Sequence, residues 1–149
     1  MQRYERTQHA TWLWLVMVPV ACVCAGIVYS PSGISFLVAA VVIVPVALVI
    51  ALFSRLTIAV DARAIAWHFG WNWPGARIDL RDVERVEITH TNFLEGWGLH
   101  YTIWHGWLWN VGGFQAVEIT KTDGSRVTLG TDDPQGLLQA IERFRKGAA

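Results

Sequence analysis

The sequence predicts a two-helix transmembrane hairpin followed by an α+β domain of about seven antiparallel strands closed by a C-terminal helix. Three observations carry this. No Asp, Glu, Lys or Arg stands between Arg6 and Arg55, and two apolar runs fill that interval. From Leu56 onward apolar residues recur with period two, in short runs cut by Gly, Pro and Asp. After "DDP" the pattern returns to a helical period. The 149 residues leave room for one small domain beside such segments. Only 16% of them are charged, against roughly 25% in ordinary soluble domains.

Residues 1–10 read as an N-terminal tail. "TWLWLVMVPVACVCAGIVY" and "ISFLVAAVVIVPVALVIALF" read as transmembrane helices over 11–29 and 34–53, joined by a tight loop at 30–33. At 1.5 Å rise each run matches a hydrocarbon core of roughly 30 Å, where every backbone donor must be paired within the helix. A cleaved signal ending near Cys22 is the competing reading, but the apolar run continues past that cysteine. Cys22 and Cys24 lie about 200° apart around a helix and read as small apolar side chains.

Arg3 and Arg6 precede the first run, Arg55 and Arg63 follow the second, and the link between the runs carries no charge. The positive-inside rule then expects a multi-pass protein of the inner cell membrane with both termini cytoplasmic. "VPVA" occurs at Val18–Ala21 and again at Val44–Ala47. Pro19 and Pro45 are accordingly expected to kink the two helices at similar depth.

Next come the strands. "LTIAV" and "AIAWHFG" form a hairpin around a turn opened by Asp61, in a register that faces Val60 with Ile65, Ile58 with Trp67 and Leu56 with Phe69. "WNWPGA" is a loop by its Pro-Gly pair. "RIDLRDVERVEITH" gives two short strands, or one long strand bent at Arg81–Asp82. Leu99, Tyr101 and Ile103 alternate with polar residues, and Trp107, Trp109 and Val111 share a face after the break at "HG".

"AVEIT" and "RVTLG" flank a turn. A two-residue Asp-Gly turn would set Leu129 opposite Glu118 and mix the faces. A three-residue loop, Thr122-Asp123-Gly124, instead pairs Ile119 with Val127 and Val117 with Leu129. The chain then forms a helix over 134–146, capped by Asp133, opened by Pro134 and striped by Leu137, Leu138, Ile141 and Phe144.

"GWGLHYTIWHGWLWNVGGFQAVEI" and "DGSRVTLGTDDPQGLLQAIE" resemble the bacterial pleckstrin-homology-like (PH-like) domain of small membrane proteins with an N-terminal helical hairpin. The likeness is most specific at Gly106-Trp107, Asn110 to Glu118 and Gly130 to Pro134. It implies a partly open barrel over 56–149 plugged by the C-terminal helix, self-association and no enzymatic activity. It carries over no catalytic residue.

Residues 54 to 149 hold ten Lys or Arg against eleven Asp or Glu. That balance leaves no nucleic-acid footprint and too few cations for a phosphoinositide headgroup, so neither partner is expected. His68, His90, His100 and His105 fit no zinc pattern, and the glycines form no phosphate loop. No catalytic residue, cofactor or metal is expected.

The expected function is a membrane-anchored, non-enzymatic interaction or scaffold module. Its partners would be the lipid bilayer and either further copies of itself or another membrane protein. The alternatives are a small transport or channel component built from kinked hairpins, and an enzyme using the domain histidines. Trp67 and Trp109 have inward parity and read as core. Trp12, Trp14 and Tyr29 at the ends of the first run, and Trp71, Trp73, Phe93, Trp97 and Trp104 in glycine-flanked loops, are expected at the membrane interface.

Overall fold

A computed structural model of the chain describes residues 3–10, 12–29, 35–92 and 98–148. Its first element is a strand the sequence does not announce. β1 (Tyr4–His9) pairs antiparallel with β2 (Arg55–Val60), from Tyr4 opposite Val60 to His9 opposite Arg55. Between those strands lie two helices, α1 (Leu13–Val28) and α2 (Ser35–Phe53). The helices are thus the connection of a β-hairpin, closed at its neck by the Ala10 amide donating to the Ser54 carbonyl at 2.7 Å.

α1 and α2 pack on each other along one side. Among the described side chains Leu13, Met17, Val20 and Cys24 of α1, and Ala39, Ile43, Val46 and Ile50 of α2, are buried or half-buried; Ala40 and the last turn of α2, Ala51 to Phe53, are half-buried too. Both sets recur at i, i+4, i+7 and i+11, the spacing of a coiled-coil seam. No sequence pattern marked this seam, because every position around it is apolar too. The Cys24 thiol donates to the Ala39 carbonyl at 4.0 Å, placing two small residues where the backbones come close.

The expected transmembrane spans do not hold. Among the described residues no helix is long and apolar enough to cross a membrane. α1 has 16 residues and α2 has 19, reaching about 24 and 28 Å against a hydrocarbon core of roughly 30 Å. Part of the apparent span is not helix. Trp12 lies in the turn before α1, and its indole Nε1 donates to the Val111 carbonyl at 3.0 Å, which ties it to the strands. The multi-pass inner-membrane placement with both termini cytoplasmic rested on those spans and is corrected with them. The tight loop expected at 30–33 lies outside the described residues.

β2 continues into β3 (Ala64–Phe69) with Val60 opposite Ile65, Ile58 opposite Trp67 and Leu56 opposite Phe69, the register the alternation predicts. Asp61 shapes the turn, its Oδ1 accepting from the amides of Arg63 at 2.7 Å and Ala64 at 2.9 Å. The 70–74 loop then folds under α2. Gly70 sits at φ +34°, where a Cβ would lie 2.6 Å from the Leu52 carbonyl oxygen, so only glycine permits this approach. β4 (Gly75–Asp79) completes a four-stranded sheet in the order β1-β2-β3-β4.

A 3-10 turn at Leu80–Asp82 moves the chain to a second sheet. It contains β5 (Val83–His90), β6 (Gly98–Thr102), β7 (Gly106–Asn110), β8 (Gln115–Lys121) and β9 (Arg126–Gly130), in the order β5-β8-β9-β7-β6. The β8–β9 turn is the three-residue one. Lys121 and Ser125 close it at 2.9 Å, Gly124 lies at φ +79°, and Val117 faces Leu129 while Ile119 faces Val127.

β7 pairs parallel with β9. The second sheet is therefore mixed, and among the described residues nine strands in sheets of four and five replace the expected single barrel of about seven antiparallel strands. The PH-like plan is corrected on these grounds: it lacks the strand that precedes the helices, and it is antiparallel where this sheet is mixed. Alternating apolar residues look the same in parallel and antiparallel strands, so the pattern could not separate the two.

α3 (Pro134–Ala148) lies against β2, β5 and β8, with Leu137 and Ile141 fully buried between the sheets. Leu56, Phe69, Trp67, Trp109, Val117 and Leu129 pack into the same core. The Phe69 and Trp109 rings stack at 5.5 Å and Trp67 meets Trp109 edge-on at 5.8 Å.

Candidate functional site

Two regions have features that packing alone does not explain. The larger is the outer side of the helical pair. Among the described residues ten Leu and Val side chains of α1 and α2 are exposed, Leu15 at 71% and Val41 at 70%. Val41, Val44 and Leu48 recur at i, i+3 and i+7 and so stand on one side of α2. No Asp, Glu, Lys or Arg interrupts this surface. Pro19 and Pro45 lie inside the helices, and both are exposed there. A helix that is apolar all round is ordinarily covered all round, and isolated proteins seldom leave so broad an apolar area in water.

The second region is the face of the five-stranded sheet turned away from the core. Registers set Glu87, Glu118, Thr128, Leu108 and His100 side by side across the five strands. The turn between β6 and β7 folds over this row. His105 Nδ1 meets Glu118 Oε2 at 2.9 Å with both side chains largely buried, and Arg126 Nη1 lies 3.7 Å from Glu118 Oε1. Arg126 also donates to the Trp104 carbonyl at 2.8 Å.

An imidazole oriented by a carboxylate is a common catalytic element, but the hydroxyls beside this one serve the backbone. Thr128 Oγ1 donates to the His105 carbonyl at 2.9 Å, and Thr102 Oγ1 accepts from the His105 amide at 3.0 Å. The cluster clamps the β6–β7 turn onto the sheet. Among the described residues no group of His, Cys, Asp and Glu could hold a metal ion. In "AVEIT" Glu118 marks only the register of the hairpin, although a carboxylate centred in an apolar strand is itself a signal that a partner crosses over it.

The aromatic residues expected at a membrane interface separate into groups. Tyr29, Trp71, Trp73 and Trp104 are exposed, whereas Trp12 is half-buried on the Val111 carbonyl. Trp14 stands in the first turn of α1, and its side chain, like Phe93 and Trp97, lies outside the described residues. Their placement at headgroup level rested on spanning helices, and no described helix is long and apolar enough to span.

No known protein family, curated protein or solved structure matches the chain. The resemblance to the PH-like family thus finds no support in sequence comparison either.

Proposed function

We propose that this protein is a non-enzymatic interaction module that self-associates through the outer side of α1 and α2. The carrying observation is the uncovered, charge-free surface centred on Leu15 and Val41. Fully burying one Leu or Val side chain is worth roughly 1.5–3 kcal/mol. Covering about half of this set would recover on the order of 10 kcal/mol, enough to offset the ordering cost of association. A surface without charge offers a different partner no electrostatic handle, whereas two copies of it complement each other about a two-fold axis. Ala21, Ala25 and Gly26 are exposed on α1, and these small residues let a second backbone approach.

Sedimentation velocity on the full chain in detergent-free buffer tests this. The expected result is a discrete dimer or small oligomer, with Leu15→Glu combined with Val41→Glu returning the 16.7 kDa monomer while the near-ultraviolet signature of the sheets persists. A monomeric wild-type chain would overturn the reading. So would recovery of the chain only when bound to lipid vesicles, which would assign the same surface to a bilayer.

A further inference from the structure

The helical pair leaves the β-sheet body at its middle. β2, which α2 runs into, is flanked by β1 and β3, and β7, which ends beside Trp12, is flanked by β9 and β6. The Phe53 and Phe69 rings meet at 5.0 Å on one side of this neck, and the Trp12 indole holds the Val111 carbonyl on the other. Trp12, Leu13 and Phe53 pack against the core that both sheets share. Beyond the neck α1 and α2 lie chiefly against each other. The pair is thus gripped between the sheets and stands out as an arm of 16 and 19 residues, about 24–28 Å long.

Two loops ring this neck. Residues 70–74 begin against Leu52 in the last turn of α2, and residues 111–114 begin at the Trp12 contact. Trp71 and Trp73 are 67% and 69% exposed on the first loop, and Phe114 is half-exposed on the second. Neither loop contains an Asp, Glu, Lys or Arg. Exposed apolar residues scattered singly are ordinary. These three instead stand together at the end of the body that carries the charge-free arm, and they extend its surface.

Building on the self-association above, we propose that this aromatic collar receives the tip of a second copy's arm, so that two copies lie antiparallel. Helices pack with their axes roughly 8–10 Å apart. The sheets and α3, about 100 residues, form a body roughly 30 Å across. Two arms packed side by side and pointing the same way would drive those bodies into each other, because each arm stands at the middle of its body. Pointed oppositely, the bodies lie at opposite ends. Each tip, where Tyr29 is almost fully exposed, then meets the partner's collar. Tryptophan suits such a contact, since it brings a large apolar area at little cost in side-chain freedom.

The test puts a label on the tip. A full chain with Tyr29→Cys and Cys22→Ala, its Cys24 left buried, carries a nitroxide and is mixed with a chain whose tryptophans are isotope-labelled. The indole N–H resonances of Trp71 and Trp73 are expected to broaden. That of Trp104 should stay sharp, since it lies in the turn before β7, at the end of the body away from Val111. When both copies carry the label, the two nitroxides should stand about 25 Å apart, close to the length of the arm. Trp71→Ala combined with Trp73→Ala, at exposed positions, should weaken dimerisation at least on the order of tenfold, whereas Trp104→Ala leaves it unchanged. A chain that sediments as a monomer would overturn the direction and the self-association together. A dimer with its nitroxides side by side, at about 10 Å, would overturn the direction alone. So would a dimer whose affinity is unaltered by the loss of Trp71 and Trp73.

Discussion

The Tyr4 hydroxyl donates to Asp133 Oδ2 at 3.2 Å, tying the first strand to the cap of the last helix across 129 positions of sequence. Burial, and then the Asp133 carboxylate, push the Tyr4 phenol up to about 12, from an ordinary value near 10. Between those values the folded chain holds a proton that the unfolded chain has released. Stability contributed by Tyr4 is therefore complete below pH ~10 and lost as the pH rises toward 12. Tyr4→Phe is expected to cost about 1 kcal/mol at neutral pH and to flatten the fall in stability across that alkaline window. Urea unfolding at pH 8, 10 and 11.5 compares the two, and parallel losses in both proteins would contradict it.

Arg6 works beside it. Its Nε and Nη2 donate to the two carboxylate oxygens of Asp132 at 3.1 and 2.9 Å. That hydrogen bonding holds the Asp132 carboxyl below its usual range. A depressed carboxylate contributes stability that is present above the unfolded value near pH 4 and lost as the pH falls through the folded one. The pair is exposed, so its contribution is small and screened by salt. Asp132→Asn should lose that contribution at pH 7 and nothing further below pH 3, in acid titrations monitored by circular dichroism. A salt-insensitive difference between the two proteins at pH 7 would show that the charge pairing is not its source.

These two contacts show why β1 was hidden. "YERTQH" carries little apolar signal; of its six residues only Gln8 is buried, its amide donating to the Gly130 carbonyl at 2.7 Å. What makes it a strand is the open edge of β2 and partners near residue 132, none of which is local. The β2–β3 and β8–β9 hairpins were legible because their apolar faces and turn residues are adjacent in sequence and agree with each other. The seam between α1 and α2 was not, since an all-apolar helix has no pattern from which to read a buried side. The His105–Glu118 contact depends on a turn folding back over a sheet, and periodicity carries no information about that.

Gly136 offers a test of the α3 cap. Asp133 Oδ1 accepts from the Gly136 amide at 3.0 Å, and a Cβ at Gly136 would collide with the Asp133 carboxylate. Ala in place of Gly inside a helix gains about 1 kcal/mol of propensity, while losing a cap costs about 0.5–2 kcal/mol. Gly136→Ala is expected to be neutral or destabilising in the natural chain. In an Asp133→Ala background, where the cap is already gone, the same change should stabilise by about 1 kcal/mol. Equal effects in both backgrounds, measured by thermal unfolding, would remove the cap from the explanation.

The His105–Glu118 pair gives the largest expected effect. The side chains are 16% and 9% exposed, so whichever partner survives a single replacement keeps a poorly solvated polar group. Breaking a buried pair from one side costs about 3–5 kcal/mol at full burial, and partial access of His105 to solvent lowers that to about 2–3 kcal/mol. His105→Ala leaves Glu118 with Arg126 at 3.7 Å, a distance too long to replace the lost hydrogen bond. Glu118→Gln keeps the shape but removes the charge facing both His105 and Arg126. If the pair clamps the turn between β6 and β7, the double variant should be no worse than His105→Ala alone, with a coupling energy as large as the cost of Glu118→Gln alone, about 2–3 kcal/mol. Hydrogen exchange gives an independent readout. The amides of His105 and Gly106 should lose protection in each single variant while those of β2 and β3 keep theirs. Additive losses, with no change in exchange at the turn, would mean that the two side chains stabilise the sheet separately and that the clamp does not exist.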